Sequence, residues 1–284
     1  YVAGDYALDE VRIALDRLVE ASGVTYVAAH VHSLDATGRR IQLTSGDALP
    51  YDVLSVDAEP TLEREAVEHA KPGARRNALF VHPYEAFVQL WPQLQALAQE
   101  RALQVAVIGG DLAAVELAMA VAQALNSPHG SRVSLIAGDA PVLADQPAGL
   151  QRRVLSRLKA MHITVLQDRC VGLDGHAIQL ASGATLLCDA PLLALIAGTP
   201  AWLAQAGLQA DEAGELVVNE RLQSESHRQV FVVPPQAPPE TGPVLEANLR
   251  TAMGGGNFKK APAGPTRLRT VACGDGHAIA AWGF

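Results

Sequence analysis

Scarcity narrows the function of this chain before any motif is read. It has three cysteines, Cys170, Cys188 and Cys273, far apart, with no CxxC pair and no metal-ligand spacing. That argues against a dithiol redox centre or a cysteine-built zinc site, and leaves the three as small buried hydrophobes in a reducing compartment. Bases are also few: 22 Lys and Arg against 30 Asp and Glu give a formal charge of −8, which leaves no basic stripe to neutralise a phosphate backbone and excludes nucleic acid as a partner. No apolar run reaches the eighteen or so residues of a membrane-spanning helix, and no signal peptide is recognisable. The expected location is the cytoplasm, with a peripheral membrane contact left open. A Gly-x-Ser-x-Gly elbow and a Gly-Lys-Ser loop are both missing, which argues against serine hydrolysis and P-loop phosphoryl transfer. His30-x-His32 puts two imidazoles on one strand face without a third ligand, so they are expected as surface residues, with no metal.

What is present is a folding composition, 49% hydrophobic and 18% charged over 284 residues, and an internal repeat. Leu34-Asp35 matches Leu173-Asp174, Ile41-Gln42-Leu43 matches Ile178-Gln179-Leu180, Ser45-Gly46 matches Ser182-Gly183, and Asp52 matches Asp189. Each copy reads as strand, turn, strand, turn, strand. An amphipathic helix with Leu8, Val11, Leu15 and Leu18 precedes the first copy, and one with Leu150, Val154 and Leu158 precedes the second.

Before the second helix stand an apolar strand at 105–108, the pair Gly109-Gly110, an Ala-rich helix at 112–125 and a strand at 133–136. This is a βαβ unit, the nucleotide-binding half of a Rossmann-type domain. The repeat offset, 189 minus 52, or 137 residues, places the matching unit of the first copy before Tyr1. The first dinucleotide domain is therefore expected without its own βαβ start.

Two tandem dinucleotide domains, each with a three-stranded β insertion, resemble the pyridine nucleotide-disulfide oxidoreductase family, in its type II NADH dehydrogenase-like branch. The likeness runs through residues 1–6, 82–91 and 105–116, Ala197-Gly198, 222–231, Gly242-Pro243 and Asn248-Leu249. The closing stretch 274–283 is similar to the tail of flavoproteins related to those fused to selenide-water dikinases. The resemblance implies an α/β fold with two FAD/NAD(P)-binding domains, the first incomplete. It divides the chain into 1–100 as the remainder of the FAD-type domain, 101–215 as the NAD(P)-binding domain, and 216–284 as the return to the first, closed by a hairpin turned at Asp275-Gly276. It implies hydride transfer from NAD(P)H through FAD to a quinone or a protein acceptor, and leaves a homodimer open. Branches of the family that use a dithiol pair are set aside by the missing CxxC.

The cofactor residues implied are Gly109, Gly110, Ala114, Glu116 and Gly198; no catalytic residue is assigned. In the glycine turn, the first glycine permits the strand-to-helix bend, the middle one admits the pyrophosphate and the last packs helix on strand. Here Asp111 takes the middle place and Ala114 the last. A carboxylate about 4 Å from a phosphate costs roughly 1 to 4 kcal/mol, or tenfold to a thousandfold in affinity. The other reading is that Asp111 simply caps the following helix. Glu116 stands where the family has a glutamate near the meeting point of nicotinamide and flavin, and equally suits an exposed helix position. Asp139 is the one nearby acid for the ribose. The family's strand ending in Ala-Gly-Asp has Pro235 in place of the aspartate that binds the ribityl chain, so FAD loses a handle. These departures support an alternative: a non-catalytic relic serving as an interaction or regulatory module.

Overall fold

The structure, a computed structural model, describes residues 1–58, 61–126, 128–195, 198–212, 214–234, 237–238, 240–262 and 268–282. It divides into two compact units, Tyr1–Ala14 with Leu62–Ala197 and Arg267–Phe284 in one, and Leu15–Thr61 with Gly198–Thr266 in the other.

The first unit is built on a five-stranded parallel sheet in the order Leu79–Phe80, Ala190–Leu193, Gln104–Ile108, Arg132–Ile136, Thr164–Leu166. Near-continuous apolar runs such as Val105-Ala-Val-Ile108 produce it, because a parallel sheet is covered on both faces. Alternation along the strands shares these residues out: Val105, Val107, Leu135 and Leu192 enter one core, and Ala106, Ile108, Ile136 and Leu193 enter another. Helices cover the first face. Leu112–Ala124 buries Val115, Ala118 and Met119, Ala148–Ala160 buries Leu150, Val154 and Leu158, and Tyr84–Glu100 buries Phe87, Trp91, Leu94 and Ala98. Helical spacing places Leu90 beside Trp91 in this core; the structure instead leaves Leu90 40% exposed, on the flank of a helix whose inward stripe is 87, 91, 94 and 98.

The second face is covered by the antiparallel sheet Cys170–Asp174, Ala177–Leu180, Thr185–Leu187, which is the second copy of the repeat. The first copy forms the matching sheet Val31–Asp35, Arg40–Leu43, Ala48–Pro50 in the other unit. Its core gathers Leu34, Val56, Leu203, Leu208 and Val230. Trp202 packs against that core from the short helix Ala201–Ala204, and Gly207 follows with φ +75°. Asn248, fully buried in helix Thr241–Gly254, donates to the Arg221 and Lys259 carbonyls and accepts from the Lys259 N–H, pinning that helix to both segments. The helix stops at the glycine run, where the Gly255 N–H donates to Thr251 O.

The first amphipathic helix departs from expectation. Only Leu15–Ser22 is helical, with no buried residue; Leu8 and Val11 lie outside it, and Leu15 and Leu18 are 56% and 55% exposed. Eight residues fall short of the 12 to 15 or so that an isolated helix needs, so apolar spacing extends a helix only where something buries the stripe.

The closing hairpin forms as expected, Leu268–Ala272 against Ala278–Trp282, with Cys273 N donating to His277 O across the turn. It docks on two helices. Gly274, at φ +73°, lies where a Cβ would come within 2.7 Å of Ala120 Cα, so only glycine permits that approach. Arg153 donates to Ala280 O at 3.0 Å, and Arg157 forms an ion pair with Asp275. No helix among the described residues is long and apolar enough to cross a membrane.

Candidate functional site

The order in which strands are added to the parallel sheet switches sides between Gln104–Ile108 and Ala190–Leu193: from the former the sheet grows outward through 132–136 to 164–166, and the chain then crosses back to the other side. Ligands of such sheets bind outside the carboxyl ends of the strands at this switch. A pocket of about 300 Å³ lies there, lined by Ile108, Gly109, Gly110, Asp111, Ile136, Ala137, Gly138, Ala194 and Leu195, with Lys71, Arg169 and Cys170 completing it.

Two glycines shape its floor. Gly109 has φ +155°, and a Cβ there would strike the Ala194 carbonyl and approach Ala114 Cβ to 2.7 Å; a Cβ on Gly110 would strike the Ala137 carbonyl. The turn is tied down by Gly109 N donating to Ile136 O and by Leu143 N donating to Gly110 O. Ala114 is fully buried beneath it, filling the helix-on-strand position. The two glycines are thus required by the protein's own packing, at the tight strand-to-helix bend.

The charge at the turn is another matter. Asp111 is the N-cap of helix Leu112–Ala124, and its carboxylate accepts the Ala114 N–H at 2.9 Å. First-turn N–H groups find no intrahelical carbonyl and are the ordinary seat for a phosphate. One of them is already taken by a side chain of the ligand's own sign. The turn keeps its tight bend, and the Asp111 carboxylate occupies the helix N-terminus beside the pocket.

Glu116 lies one turn further along, half-buried, and accepts the Ala272 N–H at 2.7 Å, so it holds the closing hairpin. Burial pushes its carboxyl above the usual range, more than the hydrogen bond from Ala272 lowers it. Gly198 belongs to the other unit, where it bridges to Thr61, with N–H···O bonds of 2.9 and 3.2 Å in the two directions. Asp139 does not line the pocket; its carboxylate, 73% exposed, pairs with Arg169 at 3.2 Å.

Lys71 and Arg169 escaped sequence reasoning. Arg169 lies three residues past the strand Thr164–Leu166 and directly precedes the second repeat copy, a position that could have singled it out. Lys71 comes from a segment with no motif, and nothing in the sequence marks it. Pro235 lies outside the described residues. Beyond it, Thr241 opens its helix at 2% exposure with a hydroxyl that has no partner among the described residues. Among the described residues no three His, Cys, Asp or Glu come together as a metal site.

A family model for pyridine nucleotide-disulphide oxidoreductases matches residues 8–234. The chain belongs to that family. Two relatives from Mycobacterium tuberculosis, NADH dehydrogenase-like proteins MT1860 (strain CDC 1551 / Oshkosh) and Rv1812c (strain ATCC 25618 / H37Rv), are each 32% identical over 115 residues, which is 39% of this chain and 28% of theirs. The matched stretch thus spans under a third of those relatives. Similar solved structures include the covalent putidaredoxin reductase–putidaredoxin complex, with a TM-score of 0.74 and 17% identity over 97% of this chain and 68% of that one. The sulfide:quinone oxidoreductase of Aquifex aeolicus gives 0.70 and 17% over 99% and 76%. At such identities the likeness establishes the fold: two Rossmann-like dinucleotide-binding parts with α/β architecture.

Proposed function

We propose that the protein is an FAD-dependent NAD(P)H oxidoreductase of the NADH dehydrogenase-like kind, delivering electrons to a quinone or a small electron-carrier protein. The observation that carries the reading is the glycine turn, Gly109-Gly110, opening the pocket at the switch point of the parallel sheet. In this reading the unit that holds Leu62–Ala197 serves the nicotinamide nucleotide, and Leu15–Thr61 with Gly198–Thr266 serve the flavin. Gly109 and Gly110 make the tight strand-to-helix bend, Ala114 sets the helix beneath it, and Glu116 fixes the hairpin beside that helix. Flavin, when bound, supplies the ring that takes hydride and releases electrons singly or in pairs. The names of the mycobacterial relatives and of the quinone and putidaredoxin systems support the acceptor classes.

The visible spectrum of the purified protein tests this, followed by anaerobic titration with NADH and NADPH. Flavin peaks bleached by either nucleotide support the reading; a protein that stays colourless with added FAD sinks it. One observation favours a second reading, a non-catalytic module on the same fold: the Asp111 carboxylate sits on the helix N-terminus where phosphate belongs. That reading expects no colour and no response to either nucleotide.

A further inference from the structure

Resting on that reading of the pocket as a nicotinamide nucleotide site, we infer that it selects NADPH over NADH, with Arg169 as the discriminating residue and Lys71 beside it. In sheets of this kind the end of the second strand faces the adenosine ribose, where an acid reads the 2′-hydroxyl of NAD or an arginine accepts the 2′-phosphate of NADP. Here that strand, Arg132–Ile136, runs out into Ala137 and Gly138, which line the pocket and carry no polar side chain.

What fills the position comes from the next loop. Ala137 N donates to Leu166 O and Gly138 N to Asp168 O, at 2.9 and 3.0 Å, and Gln167 Nε2 donates to Asp139 O at 3.2 Å. These bonds strap segment 166–169 to the end of the second strand and bring Arg169 to the pocket wall. Asp139, the one acid able to serve a ribose diol, is outside the lining and engaged by Arg169. Lys71 reaches the same pocket and has no salt bridge among the described residues.

The pocket therefore presents two cations, and the acid in its lining, Asp111, is engaged by the Ala114 N–H. A 2′-phosphate is a dianion with three acceptor oxygens, and it suits the exposed Arg169 guanidinium fork, on which it would displace the surface carboxylate of Asp139. Asp111 strengthens the case, since a nucleotide repelled at its pyrophosphate depends more on attraction at its other end.

The test is calorimetric titration of the full chain with 2′,5′-ADP and 5′-ADP, then with NADPH and NADH, repeated on Arg169→Gln and Asp139→Asn. Tighter binding of the 2′-phosphorylated ligand, on the order of tenfold, is expected. In Arg169→Gln that ratio should collapse while the affinity for 5′-ADP stays put; in Asp139→Asn it should hold or widen. Arg169 is exposed, so the variant is expected to fold, and far-ultraviolet circular dichroism checks that it does. Equal or tighter binding of the unphosphorylated ligands, or a loss in Arg169→Gln shared by both, overturns the discrimination and leaves the nucleotide site standing. No binding of any of the four overturns the proposed function itself and this inference with it.

Discussion

Leu34 faces Ile41 in the first antiparallel sheet and Leu173 faces Ile178 in the second, with the flanking aspartates, Asp35 and Asp174, in the same place beside the turn. Yet Ile178 is fully buried and Ile41 only half-buried. The strands that follow diverge further. Ala190–Leu193 is buried at all four residues between two parallel neighbours, whereas Leu54–Val56 pairs, among the described residues, with Val230–Val232 alone and buries one residue of three. Local pattern dictates the hairpins, since period-2 alternation and glycine turns act over a few residues. Burial depends on what lies opposite, and the second copy has a whole sheet face to cover.

The largest break in this comparison should come from the core. Ile178→Ala removes methyl groups with nothing to refill the space and is expected to cost about 2–5 kcal/mol. Ile41→Ala, at a half-solvated position, should cost roughly 1–2 kcal/mol, since part of that area is already in water. Denaturant midpoints of the two variants measure the gap; equal losses would mean that the two sheets are buried alike in solution.

Next is the turn that only the second half shows here. Asp111→Asn keeps an N-cap of equal quality and removes the charge, so the nucleotide affinity should rise about tenfold or more with little change in stability. Titration with NADPH measures it. Unchanged affinity would mean that the pyrophosphate does not approach Asp111, and would shift the bound ligand toward the Arg169 end of the pocket.

A smaller effect separates the two matched aspartates. Asp189 accepts the Gln104 N–H at 2.7 Å and pairs with Arg101 at 2.9 Å, joining the repeat to the parallel strand Gln104–Ile108. Asp52 is exposed and makes no such contact. Asp189→Asn is expected to cost about 1 kcal/mol, at the low end for a charged hydrogen bond because the group is partly solvated, and Asp52→Asn close to nothing. Thermal denaturation of both variants gives the contrast.

Much of this was legible in the sequence. The repeat predicted both three-stranded sheets, the Val-Ile-Gly-Gly run predicted the strand, turn and helix within a residue or two, and Asp275-Gly276 marked the hairpin. These features are local, so neighbours in sequence suffice to encode them. The first helix was over-read because amphipathic spacing says which face wants cover and not whether cover exists. Of the site, the glycines could be read and the cations could not. Lys71 is 98 residues from Arg169, and the two segments meet where the Leu173 N–H donates to Pro72 O at 2.9 Å. Whether Asp111 caps or binds was undecidable from residue type, since both readings use the same carboxylate at the same helix end; geometry assigns the hydrogen bond to Ala114.

The smallest expected effect sets two acids of the same unit against each other. Burial pushes Asp189 upward, but the Gln104 N–H and Arg101 outweigh it and hold its carboxyl below 3.8. Its contribution is therefore complete above 3.8 and is lost as pH falls through the folded value. Glu116 runs the other way. Burial holds its carboxyl above 4.5, so its folded form favours the proton; the contribution is complete below 4.5 and is lost as pH rises through the folded value. Glu116→Gln keeps an oxygen for the Ala272 N–H and never ionises, so it should stabilise the protein at pH 7 by under about 1 kcal/mol and leave it unchanged at pH 4. Asp189→Asn should show its loss at pH 7 and a smaller one at pH 3. Denaturant titrations at those values read both slopes. If Glu116→Gln instead destabilises at pH 7, the carboxylate itself holds the hairpin through a charged hydrogen bond, and the closing segment is tied to the helix after the glycine turn by charge rather than by packing.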